Sequence, residues 1–219
     1  MASADFDLYL LAQSWASTFC CAKPERCATL ESSWSATRLI LHGLWPAYAA
    51  KRGDGTTAPS DCKTMVDKFD KSVIPPLALS FAPNYHGGLA KHEYNKHGSC
   101  SGLGPELYFK ESLRTMLSLP RTDRGTPEII SKNVGGSVRS DDLRKCYDKQ
   151  VAIKVSPNCV LEEITTCWAK EVKNAGEGLL KVGRQVDCPD YLMKGARNNC
   201  DSKRCKGVIH ITKLGLCDI

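Results

Sequence analysis

Arg38-Leu39-Ile40-Leu41-His42-Gly43-Leu44-Trp45-Pro46 is the stretch from which the fold is read. Residues 38–44 form an apolar, β-prone run. Strand alternation puts Ile40, His42 and Leu44 on one face and Leu39 and Leu41 on the other. Upstream, Phe6-Asp7-Leu8-Tyr9-Leu10-Leu11 predicts a buried opening strand. Downstream, strands are expected over 151–155, 160–168, 179–186 and 208–211. The middle of the chain is helical instead. Pro105 suits a first helical turn, Phe109, Leu113, Met116 and Leu117 recur at helical spacing, and Leu119-Pro120 ends the segment. Ser140 is placed to cap a short helix opening with Asp141 and Asp142, acids at the positive end of its dipole. No repeat, low-complexity tract or linker divides the chain. The pattern predicts one α+β domain over residues 1–219, an antiparallel sheet packed with several helices.

Composition narrows the setting. Thirty Lys and Arg against 24 Asp and Glu leave a net charge of +6, which suits a polyanionic partner without demanding one. At 42% hydrophobic residues, wholesale disorder is excluded. No apolar run approaches the roughly 18 residues of a membrane span. Twelve Cys in 219 residues are too dense for an ordinary reduced protein and predict a disulfide-stapled one from an extracytoplasmic compartment: secreted, vacuolar, lysosomal or periplasmic. Their even number permits complete pairing. Spacings such as Cys20 to Cys27 and Cys200 to Cys205, with no His nearby, do not match a zinc site. Met1-Ala2-Ser3-Ala4-Asp5 shows no leader pattern and reads as a mature form with an added start Met. No N-x-S/T sequon occurs.

The chemistry concentrates in Lys91-His92-Glu93-Tyr94-Asn95-Lys96-His97-Gly98-Ser99-Cys100. Wound as a helix, His92, Lys96, Glu93 and His97 would share an arc of about 140°, with Tyr94 and Asn95 pointing away. The spacing misses His-Glu-x-x-His by one residue, and Lys96 would place a cation beside any metal, so neither metal nor cofactor is expected. A cationic, His-bearing surface suits a phosphate instead, because Lys neutralises the anion and imidazoles move protons near neutral pH. A phosphodiester needs a second proton carrier from another element. His42 is the candidate, and it reads equally well as a satisfied core histidine. His86 and His210 read as a loop and a strand residue.

Together, Leu41-His42-Gly43-Leu44-Trp45-Pro46 and His92-Glu93-Tyr94-Asn95-Lys96-His97-Gly98-Ser99-Cys100 closely resemble the two active-site segments of the ribonuclease T(2) family. The likeness extends to the opening strand, the Cys20–Cys27 region, Tyr108-Phe109 and Leu161-Glu162-Glu163-Ile164-Thr165-Thr166-Cys167. It implies His97 as general base, His42 as general acid and His92 as a phosphate ligand. Glu93 and Lys96 would partner the phosphorane-like transition state, and Trp45 and Tyr48 stand where the family often stacks a base. It further implies the pairs Cys62–Cys100, Cys20–Cys27, Cys167–Cys188, and Cys159 with Cys205 or Cys200, leaving Cys21, Cys146, Cys217 and the remaining one of Cys200 and Cys205 unassigned. Tyr94 replaces a usual Trp, residues 89–91 lack another, and Ala47 stands where many members carry Asp or Asn.

The resemblance therefore implies a monomeric endoribonuclease of low base specificity. It would cleave single-stranded RNA without a metal through a 2′,3′-cyclic phosphate. The alternative is a catalytically silent, toxin, defence or signalling protein on the same scaffold, which loss of His42 or His97 would favour. Both are present.

Overall fold

The computed structural model describes residues 5–22, 34–62, 70–83, 85, 88–173 and 179–216. In chain order its elements are β1 (Leu8–Trp15), α1 (Ala16–Ala22), β2 (Leu39–Ala47), α2 (Pro76–Phe81), α3 (Leu89–Lys96), α4 (Pro105–Leu117), β3 (Thr122–Asp123) and β4 (Thr126–Pro127). There follow α5 (Glu128–Lys132), β5 (Gly136–Arg139), α6 (Ser140–Arg144), β6 (Ala152–Val155), β7 (Leu161–Lys173), β8 (Leu179–Val186), α7 (Asp190–Met193) and β9 (Val208–Ile211). β1 pairs antiparallel with β2 on one side and β7 on the other, and β7 carries both β6 and β8. Two small ribbons, β3–β4 and β5–β9, complete the strands. This is the expected α+β arrangement around an antiparallel sheet.

β1 is buried almost throughout because both of its faces are covered. Tyr9, Leu11 and Trp15 enter the main core, which Tyr108, Phe109 and Met116 of α4 also fill. Leu8, Leu10 and Ala12 face a smaller cluster with Trp45, Ala152, Cys167 and Leu192. A fully buried side chain of this kind contributes about 1.5–3 kcal/mol. α4 begins at Pro105 and ends at Leu117, capped by Ser118, whose N–H returns to Arg114 O, close to the sequence expectation. Ser140 departs from its expectation. It is the first residue of α6, and its hydroxyl donates to Asp201 Oδ1 at 2.6 Å rather than capping the helix.

Strand alternation fails in β2 at the residue that matters most. Ala12 faces Gly43 and Gln13 faces Leu41, so His42 is the extra residue of a β-bulge. Leu39, Leu41 and Leu44 consequently share the main core, rather than Ile40, His42 and Leu44 sharing a face. His42 turns to the opposite side, where Ser14 of β1 stands across from Glu163 of β7. The irregular backbone is satisfied by two buried tyrosines. Tyr85 Oη donates to His42 O at 3.1 Å, and the Leu44 N–H donates to Tyr108 Oη at 3.3 Å.

Disulfides Cys62–Cys100, Cys159–Cys205 and Cys167–Cys188 are formed. Cys20 and Cys21 are also disulfide-bonded, while Cys27 and Cys217 lie outside the described residues. Complete pairing is overturned by Cys146 and Cys200, which are free thiols. Cys200 is buried and takes a hydrogen bond from the Arg144 guanidinium at 3.2 Å, and Cys146 donates to Asp142 O at 3.6 Å. Among the described residues no helix is long and apolar enough to cross a membrane.

Candidate active site

The bulge delivers His42 into a ring of oxygen atoms. Its Nδ1–H donates to Glu163 Oε2 at 3.0 Å, with Ser14 Oγ 3.3 Å away, and its Nε2 lies 3.5 Å from Glu93 Oε1. Burial alone would lower this imidazole, but the Glu163 hydrogen bond and the Glu93 and Glu163 charges outweigh it and raise the His42 pKa. Glu163 shows the converse. Burial would raise it, yet His42 and Arg197 hold its carboxyl below the usual range. A cleft of about 260 Å³ opens beside His42, bounded in part by Ser14, Phe19 and Lys154.

α3 supplies the facing wall. It starts at Gly88, whose φ of 95° a glycine adopts without strain, and runs only to Lys96. His97 already has φ −115° and leads into the single 3₁₀ turn Gly98–Cys100, so the shared helical arc stops before His97. Tyr94 anchors the helix, packing on Tyr108 and donating to Leu103 O at 3.3 Å. Glu93 is 1% exposed and accepts the Trp45 indole N–H at 2.7 Å. Burial raises the Glu93 pKa against the pull of His42 and Trp45. Gly43 makes room for this bond, since a methyl there would fall on the Glu93 carboxylate.

His97 sits in the opposite electrostatic setting from His42. Its Nδ1 is buried and has no hydrogen-bond partner. Burial, then the charges of Lys96, His92 and His42, push its pKa down to about 3. The Cys62–Cys100 bridge and the Asp61 N–H donating to Lys96 O at 2.9 Å pin the chain around it. His92 is exposed and Lys96 half-buried on the same helix. Trp45 joins the two histidines, with ring centroids 5.2 Å from His42 and 5.1 Å from His97.

The two aromatic residues expected to stack a base are both covered. Trp45 is 6% exposed, with Arg197 4.8 Å above its ring in addition to the two imidazoles. The Tyr48 ring lies under the Arg52 guanidinium at 3.8 Å. The structure thus brings His42, Glu93, Trp45 and His97 together, with His92 and Lys96 beside them and Tyr48 apart under Arg52. It adds Glu163, Arg197 and Ser14, which the sequence reading did not assign to the site. Alternation with Thr165 and Cys167 was the available signal for Glu163, as it turns that carboxylate toward the sheet face of the Cys167 bridge. Arg197 lies in coil, where no periodicity marks it.

Comparison with known proteins identifies the family of the chain. The sequence model of the Ribonuclease T2 family matches residues 6–181. The chain is 34% identical over 217 residues to Ribonuclease 1 of Arabidopsis thaliana, covering 86% of this chain and 89% of that one. It is 36% identical over 124 residues to a ribonuclease of Aeromonas hydrophila, covering 56% of this chain and spanning 50% of that protein's length. Trichomaglin, an S-like ribonuclease, shares the fold with a TM-score of 0.60 at 16% identity, over 97% of this chain and 100% of that one. An RNase-related protein from Calystegia sepium does so with a TM-score of 0.59 at 19% identity, over 94% and 97% of the two chains. The class that the fold and the family match define is a disulfide-bonded endoribonuclease of the T2 type. This chain belongs to the Ribonuclease T2 family.

Proposed function

We propose that the protein cleaves single-stranded RNA by internal phosphoryl transfer. The ribose 2′-OH attacks the adjacent phosphorus, leaving a 2′,3′-cyclic phosphate and a free 5′-OH. The observation that carries this reading is the asymmetry of the two imidazoles flanking Trp45. Burial and the Lys96, His92 and His42 charges, which outweigh Asp61, favour neutral His97, and Glu163 and Glu93 favour charged His42. Two like groups driven to opposite protonation states make an acid and base pair.

In this mechanism His97 accepts the 2′-OH proton and His42 Nε2 gives one to the departing 5′ oxygen. His92 and Lys96 hold the phosphate from the exposed side of α3, and negative charge building on phosphorus meets Lys96 and charged His42. Glu93 orients Trp45 and keeps His42 protonated. The RNA carries its own nucleophile, so the protein supplies proton transfer, positioning and charge, with no step that calls for a metal or cofactor. Ala47 is buried opposite Leu8 and presents no polar group to a base, which favours low base specificity. Tyr48 would stack a base once Arg52 swings off its ring. The disulfides fit an oxidising, extracytoplasmic compartment, and the reading takes the protein as a monomer of one domain.

Steady-state cleavage by His42→Ala and His97→Ala tests these roles, with circular dichroism to confirm folding. Each should lower kcat by at least about a hundredfold, the usual contribution of a general acid or base. Near-normal turnover by a folded variant would remove that histidine from the catalytic pair.

A further inference from the structure

We infer that Glu163, clamped on its far side by Arg197, is a positioning residue that fixes the His42 ring and its charge for proton donation. The inference rests on the reading of His42 as general acid. Glu163 stands on β7 opposite Ser14 of β1, and both side chains reach one nitrogen, Nδ1, at 3.0 and 3.3 Å. A carboxylate there commits the Nδ1 proton to the protein, so Nε2 alone is left to exchange a proton with substrate. The other Glu163 oxygen, Oε1, accepts from the Arg197 guanidinium at 2.6 Å.

The pair is built into the fold rather than lying loose on the surface. Glu163 is 6% exposed, and a carboxylate so buried persists only when its oxygens are paired. Arg197 is held by its sequence neighbours on the strand β6. The Ile153 N–H donates to Asn198 Oδ1 at 3.1 Å, and Asn199 both accepts from the Val155 N–H at 2.8 Å and donates to Val155 O at 2.9 Å. The guanidinium also lies over Trp45, so one side chain touches both the carboxylate and the indole between the histidines.

The charged groups facing His42 divide by which nitrogen they meet. Glu93 of α3 faces Nε2, the atom a substrate oxygen must approach. Glu163 meets Nδ1 and keeps its contact while Nε2 is in use. Arg197 opposes the proton on His42 through space, His97 lies across Trp45, and Lys154 and Glu162 pair at 2.8 Å on the rim of the cleft. Of these, only Glu163 can both orient the ring and favour its charge from behind.

Glu163→Gln keeps the shape and removes the charge. Its test is NMR titration of the His42 imidazole beside the pH dependence of kcat/KM. We expect the His42 titration and the alkaline limb to fall together by at least about one pH unit. kcat should drop at least about tenfold with KM within about twofold. Arg197→Met should give the opposite sign, a limb unmoved or raised, with kcat reduced because Glu163 is released. Glu163→Asp, which keeps the charge, should hold the limb near its original position, and it serves also if the Gln variant fails to fold. An unmoved His42 titration in Glu163→Gln, or a lowered kcat without a shifted limb, would overturn the inference. His42→Ala separates the two readings. Full activity there removes the acid assignment itself, whereas an inactive His42→Ala beside an unshifted Glu163→Gln defeats this inference alone.

Discussion

At the scale of single residues, the site depends on unequal treatment of like groups. His42 and His97 start from one reference pKa near 6.5 and are driven apart, His42 upward and His97 down to about 3. In the proposed mechanism the base His97 must be neutral, which holds above its lowered value, and the acid His42 charged, which holds below its raised value. A bell-shaped kcat/KM profile should therefore have its alkaline limb displaced upward from the reference histidine value. On the acid side it should fall as Glu93, raised by burial, takes up a proton, and further as His97 does. Measurement on a dinucleotide from about pH 3 to 9 checks this, and a flat profile or one rising through pH 9 would contradict it. Gly43 is the other critical residue. A β-carbon there would lie 2.7 Å from Trp45 Nε1 and on the Glu93 carboxylate. Gly43→Ala should lose about 1–3 kcal/mol of stability and cut kcat, as judged by thermal melting and steady-state rates. An unchanged rate would show that the Trp45–Glu93 hydrogen bond is dispensable.

At the scale of elements, what the sequence made legible followed from periodicity. α4, β8 and β9 lie where spacing predicted them because each repeats its apolar pattern over its length. The facing of His42 was misread because alternation carries no mark for a bulge, which two distant tyrosines sustain. His42, His97, Glu93 and Lys96, the residues proposed for catalysis, stand out in the sequence through resemblance to two long motifs. Glu163 was not, because one of two adjacent strand glutamates reads as a solvated charge until its facing strand is known. Arg197 needed the docking of a coil segment onto β6. The Cys62–Cys100 bridge ties the turn after α3 to a segment 38 residues earlier in the chain. Replacing both with Ser should remove about 3–4 kcal/mol and lower the melting midpoint on the order of 10 °C. A midpoint that does not move would show that this region is fixed without the bond.

At the scale of the whole molecule, the sheet works as a frame with its chemistry on one face. β1 places Ser14, β2 the bulged His42, β7 Glu163, and α3 closes over Trp45 with Glu93 and then His97. Helices and aromatic side chains fill the other face and hold the strands in register. The groups of the site thus come from three strands and from α3 with the turn after it, and only the fold brings them together. The net charge of +6 suits a polyanionic partner but does not choose RNA over DNA. In the proposed mechanism that choice belongs to the nucleophile, which the protein does not supply and the ribose does. The most direct test is cleavage, in excess EDTA, of a DNA oligonucleotide carrying one internal ribonucleotide, with mass analysis of the ends. Internal transfer predicts a single cut on the 3′ side of the ribose, a 2′,3′-cyclic phosphate on one fragment and a free 5′-OH on the other. Cuts at deoxyribose positions, or activity lost in EDTA and restored by zinc or magnesium, would contradict it.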